Sequence, residues 1–359
     1  MSVSLSLDDV RVVLGGNEIL KGVSLDIEKG EFITLLGPSG SGKTTTLNVI
    51  AGLVEVAGGH VRFDGQPVEK RPAHDRDIGL VFQSYALFPH MTVGDNVAFP
   101  LRTRRVPKGE RPSIVARMLD LVQLSGTEKR PVASLSGGQQ QRIALARALA
   151  PTPSVLLLDE PMAALDKQLR ETMQIELKRI HDEVGVTTVA VTHDQTEAMT
   201  MSDRVAIMRD GSIEQLDTPE VLYRRPATLF AARFLGETNL VPVREGRLEG
   251  FGCPSPLASG TAVLRPEDFV TGINAASGLP RISVTIVTAS YQGNRFRLDV
   301  SAGNGLEPMI VALPPTVDKR DLVPGATLEI CLRTPDCAHV VAEEADSEPP
   351  LVDIDLAVA

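Results

Sequence analysis

The segment "EFITLLGPSGSGKT", residues 31 to 44, joins two patterns that belong together in α/β enzymes. Its first half is a short apolar run of the kind that forms a parallel strand buried on both faces. Its second half, residues 37 to 44, fits G-x-x-x-x-G-K-[ST], a phosphate-binding pattern when a strand precedes it, as here. The backbone N–H groups of such a loop wrap a β-phosphate, while Lys43 reaches the β- and γ-oxygens and the Thr44 hydroxyl ligates Mg²⁺. Gly37, Pro38, Ser39, Gly40, Ser41, Gly42, Lys43, Thr44 and Thr45 are therefore the candidate nucleotide cradle.

Further strands lie on the C-terminal side. "SVLLLDE" (154–160) and the β-branched "VTTVAVTH" (186–193) read as parallel strands. Between them the spacing of Leu169, Met173, Leu177, Ile180 and Val184 predicts an amphipathic helix closed by Gly185. Asp64-Gly65 and Asp210-Gly211 read as hairpin turns, and Thr218 before Pro219 as a helix start. Asp159 falls at a strand's carboxyl end, where α/β sheets bind ligands, and would hold Mg²⁺ through water. The next residue, Glu160, would orient and polarise the attacking water. Alone, such a pair reads equally well as a solvated acidic loop; beside a phosphate loop it reads as the second half of a site. Gln83 in "VFQSYALFPHMTV" and His193 in "VTHDQTEA" each follow an apolar run, and singly each is an ordinary polar residue at a strand end. "LSGGQQQR" (135–142) adds a second anion site. Ser136, Gly137 and Gly138 open an Ala- and Leu-rich helix that stops at Pro151, presenting free N–H groups and the positive end of a helix dipole.

Taken in chain order, the phosphate loop, Gln83, "LSGGQ", "LLLDEP" with "ALD", and His193 resemble the ATP-binding-cassette (ABC) ATPases, over about residues 4 to 236. The resemblance implies an α/β fold with a RecA-like core and a helical subdomain, and ATP with Mg²⁺ as cofactors. It implies catalytic roles for Glu160, His193 and Gln83, and Mg²⁺ ligation by Thr44, Gln83 and Asp159. It also implies a head-to-tail homodimer in which Ser136, Gly137, Gly138 and Gln139 of one subunit close over ATP held by the other's phosphate loop, so the two anion sites serve different nucleotides. Asp166 would lie in the loop crossing that interface. There are two departures from the family pattern. Leu14 stands where an aromatic residue usually stacks on adenine, and Ala163 replaces a serine before Asp166.

The 359 residues exceed what one core usually holds, so two domains are expected. After "FLGETNL" (234–240) helical periodicity gives way to short alternating runs, such as Ile282, Val284, Ile286 and then Phe296, Leu298, Val300 across "QGN". These predict a small all-β domain over 237–342, followed by an acidic, disordered tail over 343–359. "VLRPEDF" and "TASYQGNRFRLDV" resemble the OB-like (TOBE) regulatory domain of importer ATPases for polyamines, iron, maltose and glycerol phosphate. "QSYALFPHMTVGDNVAFPLR" is most similar to the polyamine (spermidine/putrescine) branch, with ferric iron second. No guanine-reading Asn-Lys pair occurs, and neither a second cassette nor a coiled-coil insertion points to translation or DNA repair. The net charge of −10 argues against nucleic acid as a partner and against docking on anionic lipid. No run is long and apolar enough to span a bilayer, and "MSVSLSLDDV" lacks the pattern of a secretion signal. Three cysteines without metal-site spacing fit a reducing cytoplasm. The expectation is a peripheral subunit on the cytoplasmic face of the inner membrane. Separate permease subunits, docking near 83–92, would hold it there, and an extracytoplasmic solute-binding protein would deliver the cargo.

Overall fold

The computed structural model describes residues 2–163, 165–271, 280–303, 306–334 and 338–342; the expected tail and Cys337 lie outside them. The chain divides into two compact units, Met1–Tyr223 and Arg224–Ala359.

The first unit opens with an antiparallel sheet of β1 (Leu5–Leu14), β2 (Asn17–Ile27), β4 (Gly58–Phe63) and β5 (Gln66–Pro67), in the order β2-β1-β4-β5. A second sheet takes β3 (Phe32–Leu36), β6 (Ile78–Val81), β7 (Val155–Asp159), β8 (Thr187–Thr192), β9 (Arg204–Arg209) and β10 (Ser212–Asp217), in the order β10-β9-β3-β8-β7-β6. All its pairings are parallel except β9 with β10. Every residue of β3 and β8 is buried, because both faces of the sheet are covered. Alternate side chains serve two cores. Ile33, Leu35, Val155, Leu157 and Val189 pack toward β1, β2, β4 and α1 (Lys43–Ala51). Phe32, Leu156, Leu158 and Ala190 pack toward the helices α2 (Val93–Thr103), α3 (Arg111–Leu121), α4 (Gly137–Leu149) and α5 (Lys167–Val184). Helices α2 to α4 form the helical part of the cassette. The unit also contains α6 (Gln195–Met201), and α7 (Pro219–Arg224) follows Thr218, whose hydroxyl accepts from the Val221 N–H.

The local expectations hold with one adjustment. Asp64-Gly65 and Asp210-Gly211 carry positive φ at both positions, as hairpin turns of the favoured twist require. Gly185 caps α5 in the left-handed conformation. Met173, Leu177 and Ile180 are buried, but Val184 is 42% exposed, because the stripe turns to solvent in the last turn before the cap.

Among the described residues, the second unit is all-β apart from α8 (Leu229–Phe234) and short 3₁₀ turns. One sheet orders β11 (Asn239–Arg244), β12 (Arg247–Leu248), β13 (Gly260–Leu264) and β19 (His339–Val341) as β12-β11-β13-β19. The other orders β14 (Phe269–Thr271), β15 (Arg281–Tyr291), β16 (Phe296–Ser301), β17 (Met309–Leu313) and β18 (Thr327–Leu332) as β14-β18-β15-β16-β17. All pairings are antiparallel. Val241, Leu264, Ile282, Val284, Ile286, Phe296, Leu298 and Val300 share one core, giving the small all-β domain that the alternation predicts, OB-like and barrel-like as the resemblance implies. Ala232 of α8 packs with Val263 and Val341, so this helix belongs with the β-domain even though it precedes the change of character at 236.

Candidate active site

The phosphate loop joins the end of β3 to the start of α1. Gly37 has no room for a side chain, since a Cβ there would lie 2.3 Å from the Met208 carbonyl oxygen and 2.7 Å from Ser41 Oγ. Gly42 caps α1 at φ 101°, a conformation that glycine adopts freely, and supplies no side-chain acceptor. The N–H groups of the first turn are thus left for an anion. The buried Lys43 ammonium donates to the carbonyls of Gly37 and Pro38, each at 2.8 Å. Burial pulls its pKa down, and the charge of Glu160 opposes that shift. Ser41 Oγ is buried without a hydrogen-bond partner among the described residues. Leaving such a hydroxyl unpaired costs about 1–3 kcal/mol, and a phosphate oxygen is the group that would satisfy it. The cradle therefore fits nucleotide phosphates.

Asp159 ends β7, with the Thr44 hydroxyl close enough to favour its ionised form. Burial raises its pKa first and the neighbouring Glu160 charge second, against the Thr44 hydroxyl. Two oxygen ligands side by side, one of them a carboxylate whose ionised form Thr44 compensates only in part, suit a small hard cation such as Mg²⁺. Glu160 follows at φ 42°, unusual for a residue with a Cβ, and its N–H donates to the Val191 carbonyl at 3.0 Å. The kink points its carboxylate between two strand ends. Gln83 Nε2 donates to one oxygen at 3.0 Å, and His193 Nδ1 lies 3.1 Å from the other. Residues that are 77 and 33 positions away in sequence thus meet on one carboxylate. Gln83 bonds Glu160 rather than Thr44 or Asp159.

The signature stretch forms a capping box. Ser136 Oγ accepts from the Gln139 N–H at 3.3 Å, and Gln139 Oε1 accepts from the Ser136 N–H at 3.1 Å. Gly138 packs closely on Leu169, where an added Cβ would lie 3.0 Å from that side chain. Among the described residues, no hydrogen bond joins 136–139 to the phosphate loop of the same chain. Asp166 caps α5 by accepting from the Leu169 N–H at 2.9 Å. Behind it, Arg170 donates to the Leu165 carbonyl at 3.2 Å and to Asp194 at 2.9 Å. Thr192 donates to the buried Glu197 at 2.7 Å. This network ties the loop before Asp166 to the turn carrying His193. Sequence reading passed over Arg170 and Glu197; the one signal for Arg170 is its place a single helical turn after Asp166.

The family profile "ABC transporter" matches residues 20–163. Over 321 residues, 84% of this chain and 86% of the relative, the chain is 44% identical to a Marinobacter nauticus protein named "Spermidine/putrescine import ATP-binding protein PotA". The chain belongs to the ABC transporter ATPase family. A protein of the same name from Thermobifida fusca is 57% identical over 62% of this chain, and that match spans 58% of the relative's length. Among solved structures, cbiO1 of Clostridium perfringens, part of an ABC transporter complex, aligns at 29% identity and TM-score 0.57, covering 61% of this chain and 90% of the other. A dimeric ATP-binding cassette bound to ADP and Pi aligns at 35% identity and TM-score 0.53, over 60% of this chain and 98% of the other. In this ABC ATPase, Leu14 ends β1, paired with Asn17 and 47% exposed. Ala163 is likewise on the surface, its N–H donating to the Glu160 carbonyl.

Proposed function

We propose that this chain hydrolyses ATP to drive uptake of polyamines of the spermidine/putrescine class. In this reading it works as a head-to-tail homodimer beneath separate permease subunits. The observation that carries the reading is the carboxylate of Glu160, gripped by Gln83 and His193 beside the Asp159–Thr44 pair. Lys43, Ser41 and the first turn of α1 hold the β- and γ-phosphates of ATP. Thr44 and Asp159 hold Mg²⁺, which, when bound, neutralises charge on the phosphate oxygens. Glu160 accepts a proton from the attacking water, and Gln83 and His193 fix its orientation. Gly137 and Gly138, between the two residues whose N–H groups the capping box uses, present their N–H groups to the nucleotide of the partner subunit, with the Ser136 hydroxyl beside them.

An apolar groove of about 510 Å³ opens beside Gln83, lined by Phe82, Phe88, Phe99, Pro100, Thr103 and Arg147. Phe82 and Phe99 are 41% and 38% exposed, whereas Tyr85 is buried in the core and Leu87 packs against it. The groove receives a cytoplasmic segment of the permease, so docking and the Gln83–Glu160 contact share one loop. No helix of the described residues is long and apolar enough to cross a membrane. In this reading the permease holds the subunit on the cytoplasmic face of the inner membrane, and a solute-binding protein outside delivers the cargo. Polyamine as cargo is supported by the names of the relatives. The test is ATP-driven uptake of labelled putrescine by vesicles containing the chain, its permease subunits and its solute-binding protein. Uptake of ferric iron or a sugar instead of putrescine refutes the substrate, and absence of ATP hydrolysis refutes the activity.

A further inference from the structure

The turn after Gln83 is held in a costly shape. Tyr85 and Ala86 sit at φ 60° and 45°, consecutive left-handed conformations that residues with a Cβ avoid. One side chain meets both. Arg147 donates from Nη2 to the Tyr85 carbonyl at 2.8 Å and from Nη1 to the Ala86 carbonyl at 2.7 Å. Its guanidinium also lies 5.6 Å from the centre of the Phe88 ring. Two charge-assisted bonds from one planar fork fix direction as well as position, which a lysine ammonium cannot reproduce. Arg147 belongs to the last turn of α4, whose first turn carries Ser136 and Gly137. At 1.5 Å per residue, the 13 residues of α4 make a rigid rod about 20 Å long between the two ends.

We propose that Arg147 is a positioning residue that clamps the strained Tyr85–Ala86 turn to the far end of the signature helix. In this way the clamp sets the place of Gln83 on Glu160. Movement of α4 at its Ser136 end then reaches Gln83 through a single bidentate contact. The consequence for turnover rests on the ATPase reading above; the clamp itself does not.

The experiment uses the full chain with Arg147→Met, Arg147→Lys and the double variant Arg147→Met/Ala86→Gly. Amide hydrogen exchange without nucleotide tests the clamp directly: exchange across 83–88 should quicken in Arg147→Met, and unchanged exchange overturns the proposal. With Mg-ATP, kcat of Arg147→Met should fall about 10- to 100-fold, as expected for a displaced catalytic contact. KM should stay within about twofold, because the phosphate loop is untouched. Glycine at 86 removes the left-handed penalty at one of the two positions, so the double variant should recover part of the lost kcat, at least about threefold. A loss that Ala86→Gly leaves unmoved would show a general packing role and overturn the proposal. If Arg147→Met does not fold, Arg147→Lys decides. It reaches one carbonyl of the two and should lose kcat at constant KM; native kcat in that variant overturns the clamp. If exchange across 83–88 quickens in Arg147→Met while the native chain hydrolyses no ATP, the ATPase reading falls and the clamp stands.

Discussion

Replacing Glu160 by Gln separates binding from chemistry. The carboxylate takes one hydrogen bond from Gln83 at 3.0 Å and faces His193 Nδ1 at 3.1 Å. An amide keeps one acceptor oxygen and puts an NH₂ group against the other neighbour, so the size is preserved while the base is lost. General-base catalysis contributes about 10²–10⁴ in rate, so kcat should fall by that factor, about 3–5 kcal/mol of barrier at 1.36 kcal/mol per decade. Nucleotide affinity has no reason to fall as far. Lys43, Thr44 and Asp159 are unchanged, and the Glu160 charge acts on two of them in opposite senses. It raises the pKa of Asp159, so removing it favours the ionised, cation-binding carboxylate. It also raises the pKa of Lys43, so removing it weakens the ammonium. Phosphate release measures the turnover. Size-exclusion chromatography with and without Mg-ATP measures the dimer, which should persist in the variant because ATP is not consumed. Native-rate hydrolysis by Glu160→Gln would refute the assignment of the base.

Three other outcomes follow from the same geometry. Ser136→Arg should leave nucleotide binding to the single subunit near native and abolish turnover, and mixing it with Lys43→Ala should restore some hydrolysis, since one composite site then carries neither lesion; loss of nucleotide binding by the Ser136 variant alone would contradict a site shared between subunits. Leu14→Tyr, at an exposed strand end, should tighten ATP binding by up to about tenfold, because a ring stacked on a base contributes about 1–3 kcal/mol and 1.4 kcal/mol is a factor of ten; isothermal titration with a non-hydrolysable analogue reads it, and equal affinity would mean that Leu14 does not face the base. Asp159→Asn should raise the melting temperature of the nucleotide-free chain at pH 7: burial lifts the pKa of Asp159 in the folded state, so its ionised form opposes folding above the usual carboxylate range and that penalty vanishes as pH falls through the raised pKa. Melts in which the gain is as large at acid pH as at neutral pH would contradict this.

What could be read in the sequence was what short-range chemistry dictates. Burial on both faces makes "FITLL" and "VLLLD" continuous apolar runs, and a phosphate loop needs its glycines at fixed offsets, so β3, β7 and the cradle were visible at once. Alternation likewise gave the two-sheet core of the second unit from Ile282 to Val300. Spacing could not show that Gln83 and His193 converge on Glu160, because parallel strands adjacent in the sheet are distant in the chain; the order of the motifs placed all three in one site but not on one carboxylate. The resemblance implies Mg²⁺ ligation by Gln83; without nucleotide, its amide donates to the carboxylate of Glu160. Arg147 left no trace in periodicity or spacing, and Arg170 only its place one helical turn after Asp166. Both grip backbone carbonyls, Arg147 at Tyr85 and Ala86 and Arg170 at Leu165, and a carbonyl is the same group in every residue. A side chain that recognises backbone puts no constraint on the identity of its partner. Such contacts stay silent in a single sequence, yet they set the positions of the residues that the motifs make conspicuous.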